Sequence, residues 1–282
     1  MNLLYFLKAV ICLLVNLVIT EIKRACNRWQ MGIAFILMSA LFIQGFEAFR
    51  PGPYVPLSME RNNFYVAFLY AQGMGANALL AGVFPLVIAL ASGDSLVWDK
   101  KSGYEQHQLM RISYNRYILG KLFGASIISF GFVFVSELLA FTYGMIMFPG
   151  VVTLKKILGI TPDYAADLFI NHPFLYVLLI ILNTALFGMV ISLLSMLIST
   201  FVKNVYVVIA VPWLLFFVLQ FVFYAINLSK FAPLDLVGMY MSSSFQQYST
   251  LEIPLTRISL WLILFISTYL AYIRKFKVGV RS

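Results

Sequence analysis

Charge is scarce in this chain. Asp, Glu, Lys and Arg make up 11% of its 282 residues, against about 25% in a soluble globular domain. A length that would allow one or two soluble domains could not be covered in water with so few polar groups. Hydrophobic residues fill 62% of the chain, and the excess apolar surface calls for lipid as solvent. Acid is the scarcer sign, with 11 Asp and Glu against 20 Lys and Arg. No basic run with interleaved aromatics lies outside the apolar segments, which argues against nucleic acid. The cations instead suit the flanks of membrane spans and contact with anionic lipid. Cysteine is nearly absent. Cys12 and Cys26 are 14 residues apart, which on one helix is about 21 Å of rise. A disulfide needs Cα atoms within roughly 7 Å, so the two are not expected to pair within one chain. His107 and His172 fall on opposite sides of the predicted topology, and no metal or cofactor site is expected. The N-terminus lacks a basic region before its apolar stretch and a small-x-small site after it, so a signal peptide is not expected. A phosphate loop is missing too. The only Gly-Lys pair, Gly120-Lys121, is followed by Leu122 and has Asn115 where the first Gly of G-x-x-x-x-G-K-[ST] belongs. The chain is therefore not expected to bind ATP by that means, nor to be an enzyme.

What is present is long apolar runs. A span needs about 20 mostly apolar residues, and six segments qualify: Gln30–Phe46, Met74–Ser92, Leu122–Phe148, Phe174–Thr200, Val205–Ile226 and Ile258–Ile273. The fold expected is all-α and polytopic, one transmembrane domain over residues 1–282. The third and fourth runs are long enough to tilt or to project beyond the bilayer. Lys8, Lys23, Arg24, Arg28, Lys100, Lys101, Arg111, Arg116, Lys121, Lys203, Arg274, Lys275, Lys277 and Arg281 share one side; Arg50, Arg61, Lys155, Lys156, Lys230 and Arg257 share the other. The richer side should be cytoplasmic, with both termini inside. Residues 1–29 read as a helix whose apolar run is broken by Lys8 and Asn16 and ends in the polar stretch Glu21–Arg28. This suits an interfacial helix on the inner leaflet; the alternative is a seventh span. Arg50–Asn63, with Pro51, Gly52, Pro53 and Pro56, reads as an irregular outer connection. Thr161-Pro162-Asp163 reads as a helix start, and Phe201–Asn204 as a minimal inner hairpin. Residues 227–257 stay semi-apolar, and breaks at Ala232-Pro233-Leu234 and Ile253-Pro254-Leu255 suggest short helices dipping back into the outer face.

The connection between the second and third spans, residues 94–121, carries most of the functional information. It places Asp94 at the end of a span, then Asp99-Lys100, Gly103, an amphipathic stretch Tyr104–Ile112, Ser113–Tyr117, and Gly120-Lys121 opening the next span. In that order it resembles the first cytoplasmic loop of type-2 ABC transporter permeases, the ABC-2 membrane subunits. It departs from the family where Asp99-Lys100 replaces the usual Glu with Arg or Lys, and where Arg111-Ile112 stands for the frequent Leu-Pro. The resemblance extends to the overall plan of an elbow helix, six spans and outer re-entrant helices before the last span. It implies a permease that works in pairs, as a homo- or heterodimer, beside separate ABC ATPase subunits that hold ATP and Mg. It also implies export of a peptide, drug, lipid or glycan. The weakly charged, aromatic-rich interior suits a hydrophobic or amphipathic cargo.

By the same resemblance, Asp99, Lys100, Gly103, Tyr104, Leu109, Ile112 and Arg116 are the candidates for coupling to the ATPase. Gly103 would allow the turn into the short helix; Tyr104, Leu109 and Ile112 would dock, and Asp99, Lys100 and Arg116 would hold the base or pair at the rim. Glu137 is the one acid well inside a span and hence a candidate intramembrane functional acid. It lies about 22 Å along its helix from Leu122, where partial hydration is expected. Asn77, Asn183 and Gln220 are expected to join helices by hydrogen bonds, and Pro85 and Pro212 to be tolerated kinks. A rival reading is an ion-coupled secondary transporter, for which Glu137 is the only candidate ion site. A membrane enzyme would need converging His, Asp, Ser or Cys, and none converge in the sequence pattern.

Overall fold

The computed structural model describes residues 15–50, 63–73, 78–148, 162, 164–227 and 250–279. The described residues are helical, without strands. Their helices are α1 (15–26), α2 (Trp29–Phe49), α3 (Phe64–Gly73), α4 (Ala78–Ile88), α5 (Ser95–Lys101), α6 (Tyr104–Leu109), α7 (Tyr114–Met147), α8 (Ala166–Asn171), α9 (Pro173–Phe201), α10 (Val205–Ala225) and α11 (Glu252–Gly279). A π-turn, Ala89–Gly93, joins α4 to α5. Six helices are long and apolar enough to cross a membrane: Trp29–Phe49, Leu79–Lys101, Tyr114–Met147, Pro173–Phe201, Val205–Phe223 and Glu252–Lys275. The protein is an all-α polytopic membrane protein.

Several boundaries differ from the sequence reading. Helix α3 stands where hydropathy marks no element, because ten residues are too few to register as a span. The second span stays helical through Asp94 and Asp99 to Lys101, and the third begins at Tyr114 rather than Leu122. The connection between them therefore shrinks to residues 102–113, with α6 inside it. Pro254 does not break the chain. It sits in the first turn of α11, where a missing backbone N–H costs nothing. Pro85 and Pro212 lie within α4 and α10 as expected. Residues 1–14, the proline-rich 51–62, Asn77, Thr161, Asp163 and residues 228–249 lie outside the described residues, and with them most of the expected re-entrant segment.

Helix α9 packs along both α7 and α11 and forms the centre of the bundle. Its buried face carries Ile180, Thr184, Gly188, Ile191 and Ser195, the spacing of one helical stripe. Lipid gives no hydrophobic drive between helices, so close approach of small residues must supply the contact. A seam of this kind runs between the π-turn, α7 and α9. Ser92 Oγ donates to Ser192 Oγ at 2.9 Å, and Ser192 Oγ donates to the carbonyl of Ala125 at 3.4 Å. A Cβ on Gly93 would meet the Ser195 Cβ at 2.4 Å. Gly93→Ala is therefore expected to destabilise the chain by about 1–3 kcal/mol through overpacking. Gly32, around which a Cβ finds open space, is the control. Thermal unfolding in detergent checks the pair, and equal midpoints for Gly93→Ala and Gly32→Ala would mean that the seam is not closely packed. On the outside, Ile36, Phe221 and Ile263 are 68%, 74% and 62% exposed, side chains suited to lipid contact.

Candidate functional site

The charged residues converge at the end of the bundle where α1, α5, α6 and the start of α7 meet. Helix α1 carries Leu17, Glu21 and Arg24 at intervals of four and three, a single stripe, and Arg28 follows in the short link to α2. That stripe lies over Gly120 and Gly124 of α7. Cβ atoms on these glycines would stand 3.0 Å from the Leu17 Cβ and 2.9 Å from the Glu21 Cβ. The two glycines, four apart, let the backbones approach.

The approach closes a ring of four ion pairs. Arg24 Nη1 meets Glu21 Oε1 at 3.0 Å, and Arg24 Nη2 meets Asp99 Oδ1 at 2.6 Å. Lys121 Nζ meets Asp99 Oδ2 at 2.5 Å and Glu21 Oε2 at 2.6 Å. Two acids and two bases alternate, so the ring is neutral. Asp99 also accepts from the Tyr117 hydroxyl at 2.8 Å. The side chains of Asp99 and Lys121 are 1% and 2% exposed, where unpaired charge would be costly. Beside the ring, Arg28 Nη2 meets Asp94 Oδ2 at 2.8 Å, and Trp98 Nε1–H donates to the same oxygen at 2.9 Å. Burial works against the Arg24 charge, but the hydrogen bond and charge of Asp99, with Glu21, outweigh it and hold the guanidinium above its ordinary range. A cleft with about 40 Å³ of room lies between α1, α5 and α7.

The candidate coupling residues divide into two sets. Asp99 is buried in the ring. Lys100 turns toward α11, its Nζ 4.7 Å from the centre of the Tyr272 ring. Tyr104 is half-buried with the Arg24 guanidinium 3.7 Å over its ring, so its face meets α1 rather than open space. Gly103 has φ +72°, a left-handed conformation that L side chains adopt at a cost of roughly 1–2 kcal/mol; it turns the chain from α5 into α6. Leu109, Ile112 and Arg116 are partly exposed. The outward surface of this segment is Gln106, His107, Met110 and Arg111, with Met110 75% exposed. A further tie reaches α11: the Tyr272 hydroxyl donates to Glu105 Oε1 at 2.6 Å, and the Tyr114 hydroxyl donates to the Tyr272 carbonyl at 3.0 Å. Glu21, Arg24, Arg28 and Tyr272 are thus functional candidates that the sequence reading did not single out, and Lys121, read there as the opening of a span, joins them. The stripe on α1 is the signal that could have found Glu21 and Arg24, and the Gly120–Gly124 spacing the one that marks where α1 seats.

Glu137 lies elsewhere, deep in the bundle, and is 0% exposed. The expected partial hydration is absent, because α3 covers it. Gln72 Nε2 donates to its two carboxylate oxygens at 3.1 and 3.2 Å and to Thr184 Oγ1 at 2.9 Å. Arg257, counted above with the outer cations, is inside helix α11 and 1% exposed. Its guanidinium stands 5.6 Å from the centre of the Phe187 ring, and its charge acts on Glu137. The cluster draws on α3, α7, α9 and α11. Asn183, next to Thr184, is buried with neither end of its amide hydrogen-bonded, so it does not join helices in the way expected. A scan against protein-family models finds no match to the chain, and a search of the curated proteins finds no relative.

Proposed function

We propose that this chain is the membrane-spanning permease subunit of an ATP-driven exporter of the type-2 ABC class. It moves a hydrophobic or amphipathic cargo, a peptide or drug, across the cell membrane, and separate ATPase subunits bind ATP and Mg. On this reading the end bearing α1 and α6 is cytoplasmic, both termini are inside, and a second permease completes the pathway. Lipid or glycan is the alternative cargo. One observation carries the reading: a short helix, α6, hangs between two spans, and its base is tied to a third element by the neutral ion-pair ring. Force applied to α6 by a partner would reach α5, α7 and α1 together, because buried charge pairs give the joint no low-cost way to slip. The outward surface around Met110 is where a partner's cleft would dock. A second reading, an ion-coupled secondary transporter, draws support from the fully buried Glu137 near Arg257.

The test is purification of the tagged full chain from its own membrane. A complex is expected that hydrolyses ATP and contains a second polypeptide with a Walker A loop. Met110→Asp should reduce recovery of that polypeptide at least tenfold while leaving the permease inserted. Gly103→Pro, which cannot adopt φ +72°, should leave the complex assembled but abolish cargo stimulation of hydrolysis. Hydrolysis by the isolated chain, or full assembly and stimulation in both variants, would reject the reading.

A further inference from the structure

Glu137 sits in a setting that suits two protonation states. When ionised, its oxygens accept both contacts from the Gln72 amide nitrogen, and the charge of Arg257 favours that form. Yet the other end of the same amide, Gln72 Oε1, is buried with no hydrogen-bond partner. A buried orphan acceptor is costly, and a carboxylate, which has no hydrogen to give, cannot satisfy it. A protonated Glu137 can. Half a turn of the Gln72 amide brings Oε1 to the carboxyl, whose O–H then donates to it. The amide nitrogen takes the place Oε1 left, so the amide serves either state of the carboxyl with one of its two ends. The exchange requires one proton from water and no change in backbone.

The surroundings contain little else that titrates. Helix α9 presents Thr184, which does not titrate; its hydroxyl stands against Glu137 and 3.0 Å from the carbonyl of Ile180. Helix α2 meets α7 through rings, Phe35 against Phe132 and Phe46 against Tyr143. Helix α3 adds Tyr65, which packs on Phe141, one turn from Glu137. Arg257 of α11 is the charged group that acts on Glu137 among the described residues. Arginine does not deprotonate in proteins, so Arg257 keeps its charge in both states, and protonating Glu137 adds one positive charge to the cluster.

We propose that Glu137 is a proton-binding site, with Gln72 as a reversible hydrogen-bond partner for both states and Arg257 as a fixed charge that favours the ionised one. This does not rest on ATP as the energy source and holds for either reading above.

The test is pH-difference infrared spectroscopy of the full chain in phosphatidylcholine vesicles. A carboxylic-acid carbonyl band is expected to grow as pH falls and to be missing in Glu137→Gln. Removing the cation, in Arg257→Gln, should raise the pH at which the band is half-developed by about one unit or more, whereas Arg257→Lys should restore it. A wild-type protein without this band at any pH at which it stays folded would show Glu137 to be a permanent partner of Arg257 and overturn the proposal. A Glu137 band of constant strength across pH would overturn it equally, as a permanently neutral acid.

Discussion

Asp99→Asn is expected to destabilise the chain by about 3–5 kcal/mol, the cost of breaking a buried ion pair from one side. The substitution keeps the side-chain shape and removes the charge that Arg24 and Lys121 share. Lys121, 2% exposed on its side chain, then stays buried beside Glu21 alone, and the ring carries a net positive charge. Lys121→Met by itself leaves the opposite excess and should cost a similar amount. The double variant Asp99→Asn/Lys121→Met keeps the neutral pair Glu21–Arg24, so its cost should fall below the sum of the singles, with strong coupling between the two sites. Thermal unfolding of the four proteins in one detergent closes the cycle. Additive costs, or an Asp99→Asn effect under about 1 kcal/mol as for exposed pairs, would mean that solvent screens the ring and that it holds nothing in place.

Gly124→Leu should separate α1 from α7 without unfolding the spans. A Cβ alone would stand 2.9 Å from the Glu21 Cβ, and a full Leu side chain needs the room that α1 occupies. Moving α1 away pulls Glu21 and Arg24 from Lys121 and Asp99, so overpacking and ring opening combine. Hydrogen exchange read by mass spectrometry should show residues 15–26 losing most of their protection while α9 keeps its own. Gly131→Leu is the matched control on the same helix, because a Cβ there finds nothing within 4 Å. Unchanged protection of 15–26 in Gly124→Leu would mean that α1 is held by something other than this seam.

These two predictions concern residues that differed in how readable they were. Gly120-Lys121 stood out in sequence as the opening of a span, but nothing local says that Lys121 faces Glu21 a hundred positions earlier. Asp99 could be placed at the base of a short helix, but not inside a ring, because the ring needs α1 seated on Gly120 and Gly124. Glu137 was visible as an acid among apolar residues. Its depth along one helix suggested water nearby, whereas its exposure depends on α3, which is too short for hydropathy to mark. Arg257 looked like a flank because it precedes an apolar run. It proved to be interior because α11 starts at Glu252 and presses that turn against Phe187.

The sequence by itself determined that the chain suits lipid, that six of its segments are long and apolar enough to cross a membrane, and roughly where each of them lies. Those properties follow from transfer energies that add residue by residue along a window of about 20 positions. It also placed a turn at Gly103 and an amphipathic stretch, Tyr104–Ile112, after it, within which α6 forms. Only the tertiary structure decided which charges meet. An ion pair is worth forming in a buried place when its partner stands within hydrogen-bond distance, and that distance is set by how close two helix backbones can come. Gly120 and Gly124 fix it for the ring, and α3 lying over α7 fixes it for Gln72 and Glu137.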